Sequence, residues 1–447
     1  MRRHFTIGSI IVGLASLAIL LSGCGGKSAA APRLRPRPTA TPRPTATPRP
    51  MLVRSRALAV STASAASSST TVVVANARAG RAVVLGDDHV ADVVSLDRGA
   101  VVADAALPGD VKIGRDDPRD RMVFAGIDPT VGSPYMGSLD LASGTVMTHT
   151  LPSTMQGVDI AAVAADPSGG GLYLATKPSP GLAPELMGVS SHGTVNRARI
   201  RALAGIASAL YVDARHDRVV SIETNSTGVG AVIEGFAKDG LSLRWTATLG
   251  YVPDDYVFDP VRGDVWCLAH GGRVQLLSTS TGRVVSTVDP SYAKPSGWSQ
   301  NSDLVVDMTR GIGYVSWASA SSDTNGMKID RIDPAARTRM TLKRASGGQL
   351  VAVMGTGRVL AWDVSQVLVM LDPRTGRTMK TLASPAALLV GGGKGGGTQG
   401  QLSGPLDVAQ DGERVVLVFA ATVPFQNTIS GDNTAPGVVI VTLRDVV

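Results

Sequence analysis

A fourteen-residue stretch, 369–382, reads V-M-L-D-P-R-T-G-R-T-M-K-T-L, and looser copies of it recur through most of the chain. That recurrence limits the possible folds more than any other feature. Val369 and Leu371 alternate at the two-residue period of a half-buried strand. Asp372-Pro373-Arg374-Thr375-Gly376 breaks the run. Pro presets φ for a turn, Asp bonds the backbone just ahead, and Gly takes the φ > 0 position without steric cost. Thr378, Met379, Thr381 and Leu382 lead back out as a second strand. Similar turns occur as Leu96-Asp97-Arg98-Gly99, Leu139-Asp140-Leu141-Ala142-Ser143-Gly144 and Ser190-Ser191-His192-Gly193. Ala237-Lys238-Asp239-Gly240, Ser278-Thr279-Ser280-Thr281-Gly282-Arg283 and Ile332-Asp333-Pro334-Ala335-Ala336-Arg337 bring the copies to seven.

A second marker precedes each copy: apolar strand, polar turn, apolar strand. Asp166, Asp213, Asp259 and Asp307 end the first strand in four clear cases, at spacings of 47, 46 and 48 residues. Weaker versions lie near Asn76, Asp117, Met354 and Gln410, which makes eight. A fixed period of this size with four short strands per unit is the signature of a propeller blade. The expected fold is therefore all-β: a single β-propeller over 57–447, eight blades favoured. Blades one and eight depart most from the pattern, so seven blades stay open. Blade eight shows three strands before the chain stops, which would leave an unpaired edge. Residues 51–60, or the strand at 70–75, are expected to close the ring.

The first fifty-six residues differ in kind. Arg2-Arg3-His4 is a positive n-region, and 7–21 is an apolar run too short for a bilayer of about 30 Å. Residues 1–23 thus read as a signal peptide. Residues 24–56 read as a disordered Pro/Thr/Arg-rich tether, since the Pro density of 31–50 disfavours helix and sheet and favours extended polyproline II. The overall formal charge of +7 belongs to this region: residues 1–56 hold ten Lys or Arg and no acid, leaving 33 basic and 36 acidic residues beyond. The basic segment suits an anionic membrane surface. With few aromatics and no basic stripe beyond residue 56, the sequence argues against nucleic acid as a partner.

Leu21-Ser22-Gly23-Cys24 resembles the lipobox of bacterial lipoproteins. The resemblance implies lipid attachment at Cys24 and a place on the outer face of the bacterial membrane. The repeats resemble the bacterial YVTN-type repeat and its quinoprotein-like relatives over most of 72–443. Gly171-Leu172-Tyr173-Leu174-Ala175, Gly313-Tyr314-Val315 and Leu371-Asp372-Pro373-Arg374-Thr375-Gly376-Arg377 carry it. This is specific for architecture and weak for function, because propellers host enzymes, receptors and scaffolds alike. Eight-bladed quinoprotein dehydrogenases are expected to show Trp after the T-G turn in several blades. Here only Trp245 approaches that place, which argues against a bound quinone.

Chemistry-bearing residues are few. Cys267, flanked by Trp266 and Leu268, reads as a buried inert thiol. His89, His149, His192, His216 and His270 fall in different blades without metal-ligand spacing. His192 and His216 sit in turns and read as solvated. The glycine run at 391–397 with Lys394 lacks the Ser/Thr and the strand–loop–helix setting of a phosphate loop. Residues 321–326 carry one carboxylate, too few for calcium. The pairs Asp87-Asp88, Asp116-Asp117 and Asp254-Asp255 would serve acid–base chemistry if buried together, but beside turns they read as solvated. No catalytic residue, metal site or cofactor is assigned. The expectation is a membrane-anchored, monomeric binding module for protein or glycan. The alternatives are a lactonase-like hydrolase or lyase at the channel mouth, and a scaffold subunit of an envelope assembly.

Overall fold

Strands covered on both faces read as unbroken apolar runs, and strands covered on one face alternate. Blades five and four show the two cases. The second strand of blade five, Asp264–Ala269, sends Val265 and Cys267 toward blade four and Trp266 and Leu268 toward blade six. In blade four the outer strand, Leu243–Leu249, alternates between half-buried and exposed positions. The sequence thus grades outward from apolar to alternating within each unit.

The computed structural model describes residues 51–59, 72–383 and 407–445, apart from short connections between strands. Cys24 and the signal and tether up to residue 50 lie outside the described residues, as do the glycine run at 391–397 and the segment 321–326. Thirty-two strands form eight four-stranded antiparallel sheets, and no helix occurs among the described residues. Seven sheets are simple meanders of consecutive strands. The eighth is completed from the other end of the chain. Met51–Ala59 pairs along its whole length with Thr434–Asp445, from Met51 opposite Asp445 to Ala59 opposite Gly437. The first of the two closing segments expected from sequence supplies the missing strand. That strand begins at Met51, so the sheet takes in residues 51–56, read above as the end of the tether. Val72–Asn76, the other candidate, is instead the innermost strand of blade one.

The apolar side chains divide into eight clusters, one at each junction between neighbouring blades. The junction of blades eight and one is among them: Val416 packs on Ala75, Ala82, Val84 and Val94. Each sheet is too thin to cover its own apolar faces, so it gains stability only against two neighbours, and the ring closes. The fold is an eight-bladed β-propeller.

In such a meander, the turns joining first to second strand and third to outer strand share one face, here called the turn face. Both turn families found in the sequence lie there. All seven copies of the 369–382 pattern join a third strand to an outer strand.

Candidate functional site

The marker aspartates at the ends of the inner strands are buried: Asp166, Asp213, Asp259 and Asp307 are between 0% and 3% exposed. Their carboxylates hold the turn and then reach the next blade. Asp259 Oδ1 accepts the backbone N–H groups of Val261 and Arg262, and Oδ2 pairs with Arg262 Nη1 at 2.9 Å. The Arg262 guanidinium donates onward to the Met308 and Thr309 carbonyls of blade six. Asp307 and Arg310 repeat the device toward Gly355 and Thr356 of blade seven. Arg414 reaches the Ala77 carbonyl of blade one, and Arg215 the Val261 carbonyl of blade five. His216, read from sequence as solvated, is half-buried. Its Nδ1 lies 2.6 Å from Asp213 Oδ2, which also accepts from the Thr279 hydroxyl of blade five.

Blade three departs from this scheme. Its turn carries Ser168, Gly169 and Gly170 where blades five and six carry the guanidinium-bearing residue. The cation comes from the opposite side. Lys238, on blade four, pairs with Asp166 at 3.2 Å and Asp217 at 3.3 Å, and donates to Ser168 Oγ at 3.0 Å. Burial opposes ionisation of Asp166, but the Ser168 hydrogen bonds and the Lys238 ammonium outweigh it and hold its carboxyl below the usual range. The same two aspartates raise Lys238 above the ordinary lysine value against its own desolvation.

The small residues leave a groove of about 520 Å³ between blades three and four on the turn face. Gly169, Gly171, Tyr173, Gly188, Ser190 and Asn196 line it from blade three. Asp217, Arg218, Lys238, Asp239 and Arg244 line it from blade four. Tyr173 lies against Gly188, where an added Cβ would come within 2.9 Å of its ring, and its hydroxyl donates to the Lys238 carbonyl at 3.3 Å. Burial, reinforced by Asp166, Asp239 and Asp217, pushes the Tyr173 hydroxyl far above the usual phenol value, so it acts as a neutral donor.

Deeper in the same junction, Glu223 and Glu234 share a face of blade four with Ser221 and Val219; Val219 packs with blade three. Glu223 is 2% exposed and Glu234 0%. Ser221 donates to Glu223 Oε1 at 3.1 Å, and among the described residues Oε2 accepts no hydrogen bond. Burial, then the neighbouring Glu234, pushes the Glu223 carboxyl up to about 8, so it is mostly protonated at neutral pH.

A second constellation lies on the inner strands. Asp254 and Asp255 are not both solvated. Asp254 is exposed and faces His270 Nδ1 at 3.2 Å. Asp255 turns inward, accepting the Tyr256 N–H and, from blade six, the Leu304 N–H, each at 2.8 Å. Burial, opposed by those N–H groups and reinforced by Asp303 and Asp254, pushes it up to about 6. Asp303 holds the equivalent place in blade six, four residues before Asp307 as Asp255 is before Asp259. It accepts from Ser316 at 3.0 Å and from Gln349 of blade seven at 3.1 Å. Nearer the turn face, Arg115 of blade two donates to the Leu210 carbonyl of blade four at 2.6 Å and stacks over Tyr211 at 4.5 Å. Tyr211 in turn meets Phe258 of blade five at 5.4 Å. Sequence reading missed Asp303 and Arg115; the repeated place of Asp255 and Asp303 ahead of the marker aspartate was the available signal.

Among the described residues, no three His, Cys, Asp or Glu side chains are arranged to hold a metal. Cys267 is buried, and desolvation pushes its thiol up to about 12, in keeping with an inert role. His192 and Asp87-Asp88 lie outside the described residues. Asp116-Asp117 end an inner strand, Asp110–Asp117. Exposed large apolar residues sit mainly on the outer strands of six blades, among them Val101, Met147, Val195, Val285, Met340 and Met379, rather than on one blade.

No protein-family model matches the chain. No curated protein matches it either. Among solved structures it is similar to Sqt1 of Saccharomyces cerevisiae, at 11% identity and a TM-score of 0.55 over 86% of this chain and 97% of that one. It is also similar to NirN, a dihydro-heme d1 dehydrogenase solved in complex with DHE, at 14% identity and a TM-score of 0.49 over 79% and 72%. The computationally designed Ika8 protein gives 12% identity and a TM-score of 0.49 over 82% and 96%. Likeness at these identities speaks to the fold alone, and the similarity to Sqt1 agrees with the propeller.

Proposed function

We propose that the protein is a membrane-tethered binding module that acts outside the cell through the groove between blades three and four. The groove is the observation that carries this reading. It is a polar recess lined by residues from two blades, at a turn where Gly169 stands in the place of the clasping side chain. Such a recess holds its shape because the ring behind it is closed, so a ligand meets preorganised groups. The repeat belongs to the YVTN-type, quinoprotein-like kind. Residues 1–23 direct export, Cys24 carries lipid, and the Pro-rich segment lifts the propeller off the membrane. Support comes from the ordered n-region, apolar run and Leu21-Ser22-Gly23-Cys24, and from the net positive charge of residues 1–56.

The test pairs two readouts. Metabolic labelling with a fatty acid should mark the wild type and not Cys24→Ser. Wild-type protein should capture an envelope component that a double variant of the groove rim, Asp239→Lys with Arg244→Glu, does not. Capture unaffected by the rim variant would sink the groove as the site.

A second reading is a hydrolase at the channel mouth, favoured by Asp255, whose carboxyl sits near 6 beside Asp303 and Asp254. Turnover of lactone or ester substrates that vanished in Asp255→Asn would establish it; no turnover across such a panel would remove it.

A further inference from the structure

In each blade the outer strand sets out from the turn face. Blade eight keeps to this with the other end of the chain: Met51 stands opposite Asp445, where the third strand has reached the turn face. The chain before residue 51 therefore joins the ring on that face, at the rim of blade eight. Its neighbour along the rim is the outer strand of blade seven, Thr378–Ala383. The turns beside this point carry a second kind of arginine. Arg262 and Arg310 are committed to carbonyls of the next blade. Arg283, Arg337, Arg374 and Arg377, in the third-to-outer turns of blades five, six and seven, are exposed, and among the described residues their guanidinium groups bond no protein group. The acids of the same turns, Asp333 and Asp372, accept backbone N–H groups of their own turns. Apolar side chains follow the arginines closely. Val284 and Val285 in blade five are 45% and 49% exposed, Met340 in blade six 43% and Met379 in blade seven 45%. Blade two, across the ring from blade six, lacks this pairing: Met147 is 58% exposed, but its turn, 139–144, holds no basic residue.

We propose that the turn-face rim of blades five to seven rests on the anionic lipid surface to which the chain is tethered. Guanidinium groups beside exposed apolar side chains, repeated on three successive blades, suit the headgroup boundary of an anionic bilayer. A chain that enters at blade eight holds the adjoining rim near that surface. The groove lies at the three–four junction, diametrically across the ring from the seven–eight junction, so an edge-on contact leaves it open to a partner. The proposal rests on the membrane tether, not on the groove, and goes further by giving the propeller an orientation.

The experiment attaches a fluorophore to the full-length lipidated protein through Met379→Cys or, for comparison, Met147→Cys; Cys267 is buried and does not compete. Each is reconstituted in phosphatidylcholine vesicles with or without phosphatidylglycerol, carrying a spin-labelled lipid as quencher. The expected result is quenching several-fold stronger at 379 than at 147, dependent on phosphatidylglycerol and reduced in about 0.5 M salt, where exposed charges are screened. Arg337→Glu with Arg374→Glu should remove most of it. Both side chains are exposed, so that variant should melt as the wild type does. Equal quenching at the two positions, quenching indifferent to phosphatidylglycerol, or none at 379 would overturn the proposal. Heparin bound through the same arginines with no quenching would assign the rim to a soluble polyanion instead. The tether is read separately, by fatty-acid labelling of Cys24. If the label holds and 379 is not quenched, the tether stands and the rim assignment falls. If the label fails, the tether falls, and vesicles added to the Cys24→Ser chain still decide the rim: with its arginines intact it should bind phosphatidylglycerol vesicles at least about tenfold more tightly than with the two reversals, and equal binding would overturn the proposal.

Discussion

Two neighbouring junctions use one plan and solve it differently. Between blades four and five, the Trp245 indole spans two glycines, His216 and Thr279 close on Asp213, and Arg215 reaches across to Val261. Between blades three and four, the turn is Ser-Gly-Gly, the cation comes from Lys238, and Tyr173, packed with Leu241, lies against Gly188. The first junction is filled by the chain itself. The second leaves a groove on the turn face and keeps a mostly protonated Glu223 deeper in. A repeat fold can thus fill one junction and leave a groove at its neighbour, since each junction has its own apolar cluster.

The largest expected effect removes the setting of both junctions. Deleting residues 51–59 leaves Thr434–Asp445 without its outer partner, so blade eight and then the ring should lose cooperative unfolding. A thermal melt as sharp and as high as wild type would show that closure does not depend on this strand. Next, Trp245→Ala should cost about 3 kcal/mol in chemical denaturation, as expected for removing a large ring from a packed junction. It should also turn the four–five junction into a second groove. A loss below about 1 kcal/mol would mean the two junctions differ less than their contents suggest.

The third prediction separates them by pH. Glu223 is raised in the fold, from 4.5 to about 8. Its contribution is full below the unfolded value and fades as pH rises through 8. Wild-type stability should therefore fall by on the order of 2 kcal/mol between pH 5 and 7, at about 1.4 kcal/mol per unit. Glu223→Gln should flatten that slope, and an unchanged slope would place the titration elsewhere. The smallest effect is Lys238→Ala, at about 1 kcal/mol, because the ammonium is partly solvated and Asp166 keeps its Ser168 bonds. Asp166 is held below its ordinary value, so its contribution is present above about pH 4 and lost as pH falls further. The Lys238→Ala penalty should shrink in acid by the same logic, measured as the difference between the two melts.

Reading of the sequence went furthest where the physics is local. Alternation at 369–371 and the Asp-Pro-Arg-Thr-Gly turn specify a hairpin without any distant contact, and the recurrence of the marker favours eight units. Burial of those aspartates was not visible: Asp213 followed two residues on by Arg215 and three on by His216 looks like any exposed turn. What buries it is Thr279, sixty-six residues later. The acid pair Asp254-Asp255 was read as two solvated groups, because a bulge in the inner strand, which turns one side chain inward, leaves no mark of its own. The groove is harder still to read. Gly188 and Asn196 mean little until set beside Gly235 and Trp245, and that correspondence needs the cross-strand register and the next blade's turn together.

Strand period and turn chemistry depend on neighbours along the chain, and so the sequence alone determined an all-β repeat of four-stranded units, with eight units favoured and two segments able to complete the last one. The choice of which junction is filled and which stands open was made only by the tertiary structure. A side chain's surroundings there come from residues one full repeat away, and no local pattern records whether the facing residue is a tryptophan or an asparagine.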